Sequence, residues 1–376
     1  MKKILFFLFF FLIIIIFLPT EKEAQEELRG IYFSYIEITK YLKDKDEETS
    51  KKNIKEIIEN IKNMNLNTIV IQVRPSSDAI YYSKIFPISK YLSDNNTYPY
   101  DVLDFIIEES HKKNIKVYAW INPYRVSTKP DISEITESNP AYKYLNTDTI
   151  YINNGIYFNP SKKEVNEIII KGIEEITKYD VDAILFDDYF YPNDEIDIED
   201  YNKKSKGESL EEYHLNIVNN LIEEVHSTCK KYNKPFGIAP EGNIENNYHK
   251  NYADVKKWLG NENYVDFIAP QVYYGFNNSN KPFVNTLNEW TNINKKNIDF
   301  YVSLAFYKVG IEDNYAQLGK NEWLENDNII MKEIIYSRTV KGYKGFILYR
   351  YDNVFNEEDY TNTSKNEVKN IKKILK

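Results

Sequence analysis

Residues 182–192 read Asp-Ala-Ile-Leu-Phe-Asp-Asp-Tyr-Phe-Tyr-Pro, a short apolar run that passes straight into two carboxylates and an aromatic cluster. Apolar residues framed by Asp182 and Asp187 suit a strand buried on both faces. Carboxylates at the end of such a strand carry a desolvation cost, and groups so placed serve as general acids, bases or nucleophiles. Working outward from Ala183–Asp187, seven further runs share its character: Gly30–Tyr35, Thr68–Val73, Lys116–Ile121, Phe236–Pro240, Phe267–Val272, Phe300–Ala305 and Gly345–Tyr349. Each reads as a strand.

Helical periods lie between them. Ser50–Met64 carries Ile54, Ile57, Ile58 and Ile61 on one face, and Tyr100–Lys113 does the same with Leu103, Ile106 and Ile107. Ser161 with Glu164, and Ser364 with Glu367, read as capping boxes, the first opening a helix that runs to about Lys178. Glu208–Lys231, Ala253–Gly260, Pro282–Asn294 and Glu325–Thr339 complete the series. Eight strand–helix units predict an α/β fold of the (β/α)8 TIM-barrel type. A doubly wound sheet fits less well, because no Gly-rich phosphate turn follows the first strand. No Ser/Gly-rich or Pro-rich linker breaks the series, so residues 28–376 are read as one domain. The long connections Asn122–Pro160 and Tyr189–Lys206 follow strands three and four, on the face where barrel sites are built.

That face holds the candidate chemistry. Because side chains alternate along a strand, Asp187 is expected to point inward with Leu185, and Asp188 toward a neighbouring loop or helix. Glu241 ends strand five in Pro240-Glu241-Gly242-Asn243. Asp187 and Glu241, with Asp188 as substitute, supply the two carboxylates that glycosidic cleavage needs. Arg74, Asp78, Asn122, Tyr124, Arg125, Tyr189, Gln271, Tyr273 and Tyr307 also stand at or just beyond strand ends and are candidates for binding sugar hydroxyls and ring faces. Plainer readings exist: a salt-bridged loop pair for the aspartates, a loop-fixing role for Glu241, arginines that hold carboxylates in place, and tyrosines that pack the mouth. Tyr191, Tyr274, Tyr349 and Tyr351 follow strand ends as well.

Composition narrows the classes. The 376 residues include one cysteine, Cys229, and four histidines, His111, His214, His226 and His249, none at a strand end. A disulfide framework and a Cys- or His-built metal centre are therefore not expected, and no cofactor is implied. No lysine ends a strand, which argues against Schiff-base chemistry. The net charge of -9 speaks against nucleic acid as a partner. At the amino terminus Lys2 and Lys3 precede the apolar run Ile4–Leu18, then Pro19 and a charged stretch. This reads as a secretory signal over residues 1–24. Lys22 stands three residues before Gln25, so no small-x-small cleavage site is convincing and a signal-anchor is the alternative. Either way the body is expected to be exported, with membrane contact only through that segment.

The series NTIVIQVRPSSDAIYYSKIFPISKYL, VYAWINPYRV, DAILFDDYFYP, YADVKKWL and FIAPQVYY resembles the glycosyl-hydrolase-like 10 family over nearly the whole body. The resemblance implies a TIM barrel in an exported bacterial protein that cleaves glycosidic bonds, in some members those of peptidoglycan glycan strands. It makes Arg74, Asp78, Asn122, Tyr124, Arg125, Asp187, Asp188, Tyr189 and Gln271 the motif residues here. The segment around Glu241 departs from the common family pattern and looks like a clostridial-type subgroup. The fourth strand also resembles that of chitinase-like barrels, with Tyr189 where their acidic Glu stands. If Asp187 assists a substrate N-acetyl group, the mechanism is substrate-assisted. The reading is thus an exported glycoside hydrolase on a cell-wall or extracellular polysaccharide. Its alternatives are a non-catalytic carbohydrate-binding barrel and a polysaccharide deacetylase.

Overall fold

A computed structural model describes residues 26–376 of the chain. The expected export segment, residues 1–24, lies outside them. Among the described residues no helix is long and apolar enough to cross a membrane.

Eight parallel strands close into a barrel: β1 (Leu28–Phe33), β2 (Thr68–Arg74), β3 (Lys116–Ile121), β4 (Ala183–Phe186), β5 (Phe236–Ile238), β6 (Phe267–Ile268), β7 (Asp299–Leu304) and β8 (Tyr343–Leu348). They pair in chain order, and β8 returns to β1. The outer ring consists mainly of α1 (Glu47–Asn63), α2 (Val102–His111), α3 (Lys163–Ile176), α4 (Leu210–Lys231), α5 (Val255–Gly260), α6 (Phe283–Ile293), α7 (Ile329–Ser337) and α8 (Asn362–Ile374). This is the (β/α)8 barrel expected from the sequence.

Alternation along the strands divides the core in two. Ile69, Ile71 and Val117 face outward and pack on the helices, with Ile54 and Ile58 of α1 and Ile106 of α2 in the same cluster. Leu28, Tyr32, Val70, Tyr118, Trp120, Leu185, Phe267, Tyr301 and Ile347 face inward and fill the barrel. Part of the aromatic excess is therefore interior packing. Tyr32 meets Trp120 edge-on at 5.4 Å, and Phe267 lies 5.4 Å from both Tyr118 and Tyr301. Gly237 makes room for Phe267: a Cβ there would come within 2.3 Å of its ring.

Some boundaries differ from expectation. β5 and β6 stop at Ile238 and Ile268, short of Pro240 and Pro270, because proline has no N–H to donate to a ladder. Isolated bridges from Glu241 to Gln271 and from Gln271 to Ser303 carry the pairing on to the mouth. Neither expected capping box forms. α3 is entered through Lys162, while Ser161 Oγ donates to Asp200 at 2.8 Å. α8 starts two residues before Ser364, capped by Thr361, and Glu367 instead accepts from the Met331 amide in the first turn of α7. Boxes do form at Ser209–Glu212 and Ser34–Glu37. The helix expected over Glu325–Thr339 is divided, Glu322–Glu325 and then α7. Within Asn122–Pro160, Arg125–Ser127, Ile150–Ile152 and Ile156–Phe158 form a small antiparallel sheet beside the barrel mouth.

Candidate active site

The carboxyl end of β4 delivers Asp187 into the barrel mouth, in line with the inward-facing Leu185. Its carboxylate is buried, with 4% of its surface exposed. Oδ2 accepts from Trp120 Nε1 at 2.9 Å and from Asn122 Nδ2 at 2.6 Å. Oδ1 accepts from the same Asn122 nitrogen at 2.7 Å and from the Tyr189 amide at 3.3 Å. Trp120 and Asn122 are two apart at the end of β3, so the strand period puts both on the face beside β4. Asn122 is itself fixed, its Oδ1 accepting from Gln72 Nε2 and, at 3.0 Å, from Arg125 Nη2. Burial raises the Asp187 pKa, while the Arg125 charge and the Asn122, Trp120 and Tyr189 hydrogen bonds pull it back.

Asp188 does not turn to a neighbouring loop or helix as expected. β4 ends at Phe186, so strand alternation no longer governs position 188. Its Oδ1 accepts from Gln271 Nε2 at 3.0 Å, beyond the end of β6. Both aspartates thus converge on the mouth. Burial first and the neighbouring Asp187 charge second push the Asp188 pKa up to about 7; Gln271 lowers it and Glu241 adds to the rise. Burial and the neighbouring charge together favour the protonated form of Asp188 more than in an ordinary aspartate.

Glu241 lies within electrostatic reach of Asp188 but is tied to its own loop, Oε1 accepting from Asn246 Nδ2 at 2.6 Å. Arg125 bridges Asn122 and the Pro75 carbonyl and lies under the exposed Tyr189 ring, 5.2 Å from its centroid. Tyr273, Tyr307 and Tyr349 form a triangle of rings at 5.8–5.9 Å on the opposite side of the mouth. Tyr32 joins it from below, 5.7 Å from Tyr349, with its hydroxyl on Ser303 Oγ at 2.9 Å.

Three expected residues sit elsewhere. Arg74 faces outward because β2 carries a bulge: Gln72 pairs with Trp120, but Arg74 pairs with Ile121. Its guanidinium is buried over the Phe86 ring at 4.2 Å and against Gly172 of α3, so it cannot reach substrate at the mouth. Tyr124 is buried in the outer core, as are Tyr191 and Tyr351. Asp78 lies off the mouth, in a cleft between the loops after β2 and β3. The histidines do not converge: His111 pairs with Asp182, His214 with Asp197, His226 with Asp266 and His249 with Glu211. Reading single strand ends missed Trp120, Tyr32 and Ser303 as site residues. For Trp120 the signal was present, two residues before Asn122 on the strand next to Asp187.

The chain has relatives. The chain is 32% identical to the glycosyl hydrolase YngK of Bacillus subtilis over 324 residues, 76% of this chain and 62% of that protein. It is 30% identical to the glycosyl hydrolase DigH of Escherichia coli K12 over 331 residues, 78% of this chain and 74% of that one. Among solved structures, the PgaB (BpsB) glycoside hydrolase domain of Bordetella bronchiseptica superposes with a TM-score of 0.58 at 14% identity, covering 89% of this chain and 96% of that one. Alpha-L-fucosidase isoenzyme 2 of Paenibacillus thiaminolyticus gives 0.59 at 13% identity, covering 93% and 49%. At such identity the two structures bear on the fold alone. The sequence profile of the family described as glycosyl hydrolase-like 10 matches residues 27–319, and the chain belongs to that family.

Proposed function

We propose that the protein is an exported glycoside hydrolase that cleaves O-glycosidic bonds of a cell-wall glycan of the peptidoglycan type, with Asp188 as general acid and Asp187 as a fixed charge. The observation that carries this reading is the contrast within the pair. One carboxylate is held by four hydrogen bonds, and its neighbour holds a proton up to about pH 7. Environments that drive two adjacent carboxyls apart assign acid and anion roles.

In this reading Asp188 gives its proton to the glycosidic oxygen as the bond to the anomeric carbon breaks. The positive charge that develops on the sugar is stabilised by ionised Asp187. Each Asp187 oxygen already accepts two donors, which leaves it poorly placed to attack. The attacking atom is then a water, whose proton Glu241 or the newly ionised Asp188 accepts, or the substrate's own acetamido oxygen. The tyrosines around the mouth offer faces for sugar rings, as Arg125 and Gln271 offer polar groups, while Asn122 is spent on holding Asp187. The cell-wall substrate and the export step rest on the family resemblance and on the Lys2–Leu18 pattern.

The test is incubation of the purified protein with peptidoglycan strands stripped of their stem peptides, with intact peptidoglycan and with unrelated polysaccharides, counting new reducing ends. Release from the stripped or intact strands, abolished by Asp188→Asn, is expected. Binding without reducing ends would favour a silent carbohydrate-binding barrel, and acetate release a deacetylase.

A further inference from the structure

The loops after β2 and β3 enclose a cleft of about 560 Å³ beside the mouth. Asp78 lines it and is 6% exposed. Its Oδ2 accepts from Ser89 Oγ at 2.9 Å, whereas Oδ1 is buried without any hydrogen-bond partner. An unmet buried carboxyl oxygen is costly, and a ligand donor would relieve it. The cations of the cleft are already matched: Lys43 with Asp94 at 2.6 Å, Lys90 with Glu134 at 2.7 Å and Lys129 with Glu134 at 3.4 Å. Lys90 and Lys129 share Glu134, so only with Asp78 counted do the three lysines of the cleft balance its three carboxylates; with no net charge to draw an ion, the unmet oxygen suits a neutral hydroxyl or amide donor. Ile88, Val126 and Ile135 give the same cleft apolar walls. Polar donors on an otherwise apolar disc are the character of a sugar ring.

The cleft is joined to the mouth by tyrosines. Tyr91 lines it, is fixed by its hydroxyl to Thr128 Oγ1 at 2.9 Å, and packs its ring 4.5 Å from that of Tyr35. Tyr35 follows β1 and lies within electrostatic reach of both Tyr189 and Tyr349 at the aspartate pair. Lys90 spans the two loops, donating to Ser127 Oγ at 3.1 Å, and so holds the cleft to its width.

We propose that this cleft is a remote subsite for a neutral sugar unit of the glycan chain, with Asp78 accepting from a sugar hydroxyl and Tyr91 forming the start of an aromatic track to the aspartate pair, so that the protein selects long strands over short ones. The inference rests on the glycoside-hydrolase reading and deepens it.

The probes are sized, peptide-stripped peptidoglycan strands and the disaccharide cut from them. With cleavage blocked by Asp188→Asn, the full chain is expected to bind long strands at least tenfold more tightly than the disaccharide. Asp78→Asn and Tyr91→Ala, added singly, are each expected to reduce that preference about tenfold, the size of one lost charge-assisted bond or ring contact. Unfolding midpoints near the parent's exclude collapse of the loops, and Tyr91→Phe serves as a milder second probe if Tyr91→Ala unfolds. Length preference intact in both variants, with wild-type cleavage present, overturns the subsite and leaves the enzyme reading standing. Length preference lost in both, with no reducing ends from wild type, supports the subsite in a binding protein and overturns the enzyme reading. No binding of any strand overturns both.

Discussion

Asp187→Asn separates what Asp187 does for the fold from what it does for the chemistry. The carboxylate accepts from Trp120 Nε1, from Asn122 Nδ2 on both oxygens and from the Tyr189 amide. An amide has one acceptor oxygen. Its NH2 must face either the Trp120 N–H or the Asn122 NH2, donor against donor. One buried donor is stranded, which costs about 1–3 kcal/mol. Urea unfolding should show a loss of that size in a protein that still folds. The chemical effect has its own signature. Asp188 reaches about 7 through burial first and the Asp187 charge second. Removing the charge leaves burial, so the Asp188 pKa moves down yet stays above its usual 3.8. If protonated Asp188 is the acid, kcat/KM falls on the alkaline side as it ionises. The wild-type descent is centred near pH 7, and in Asp187→Asn it moves to lower pH. Turnover below the descent drops by about 10²–10³-fold, as when one preorganised group is removed from a closed site. A folded variant whose alkaline limb stays at the wild-type position would refute the electrostatic coupling.

Three further outcomes follow from particular contacts. Trp120→Phe keeps the ring in the barrel but withholds the N–H from Asp187, and steady-state kinetics should show kcat lower by about tenfold. Gly172→Ala places a Cβ 1.8 Å from Arg74 Nη1, where overpacking costs about 1–3 kcal/mol; denaturation should register it while the pH profile stays unchanged. Glu367, buried between α7 and α8, is raised by burial from 4.5 to about 7. Its folded pKa exceeds the unfolded one, so its contribution is fully present below about pH 4.5 and lost as pH rises through about 7, some 3 kcal/mol in all. Glu367→Gln should therefore be more stable than wild type at pH 8 and lose that advantage at pH 4, as measured by chemical denaturation across pH.

The barrel was legible because strands buried on both faces leave short apolar runs, and each run here is followed by a helical period. Strand ends were less so. Pro240 and Pro270 stop β5 two residues and β6 four residues short of their expected ends, and the bulge before Arg74 turns that side chain outward. A bulge is set by pairing with β3, which the sequence of β2 alone does not contain. Alternation placed Asp187 correctly and Asp188 wrongly, because the strand ends at Phe186. Tyr124, Tyr191 and Tyr351 follow strand ends like Tyr189 and Tyr273 do, yet they are buried in the outer core. Position along the chain does not tell which side of a closing loop an aromatic ring will take. Tyr32 and Ser303 meet across the barrel from strands 271 residues apart, beyond the reach of any local pattern.

In the proposed function Asp188 delivers the proton to the departing oxygen. The direct test of this role is the rate of Asp188→Asn on two glycosides with the same sugar and different leaving groups, one a sugar alcohol and one a nitrophenol that departs without a proton. A loss of at least 10²-fold is expected on the first, with near-wild-type rates on the second and no such rescue for Asp187→Asn. Equal losses on both leaving groups, or wild-type rates on both, would contradict that role.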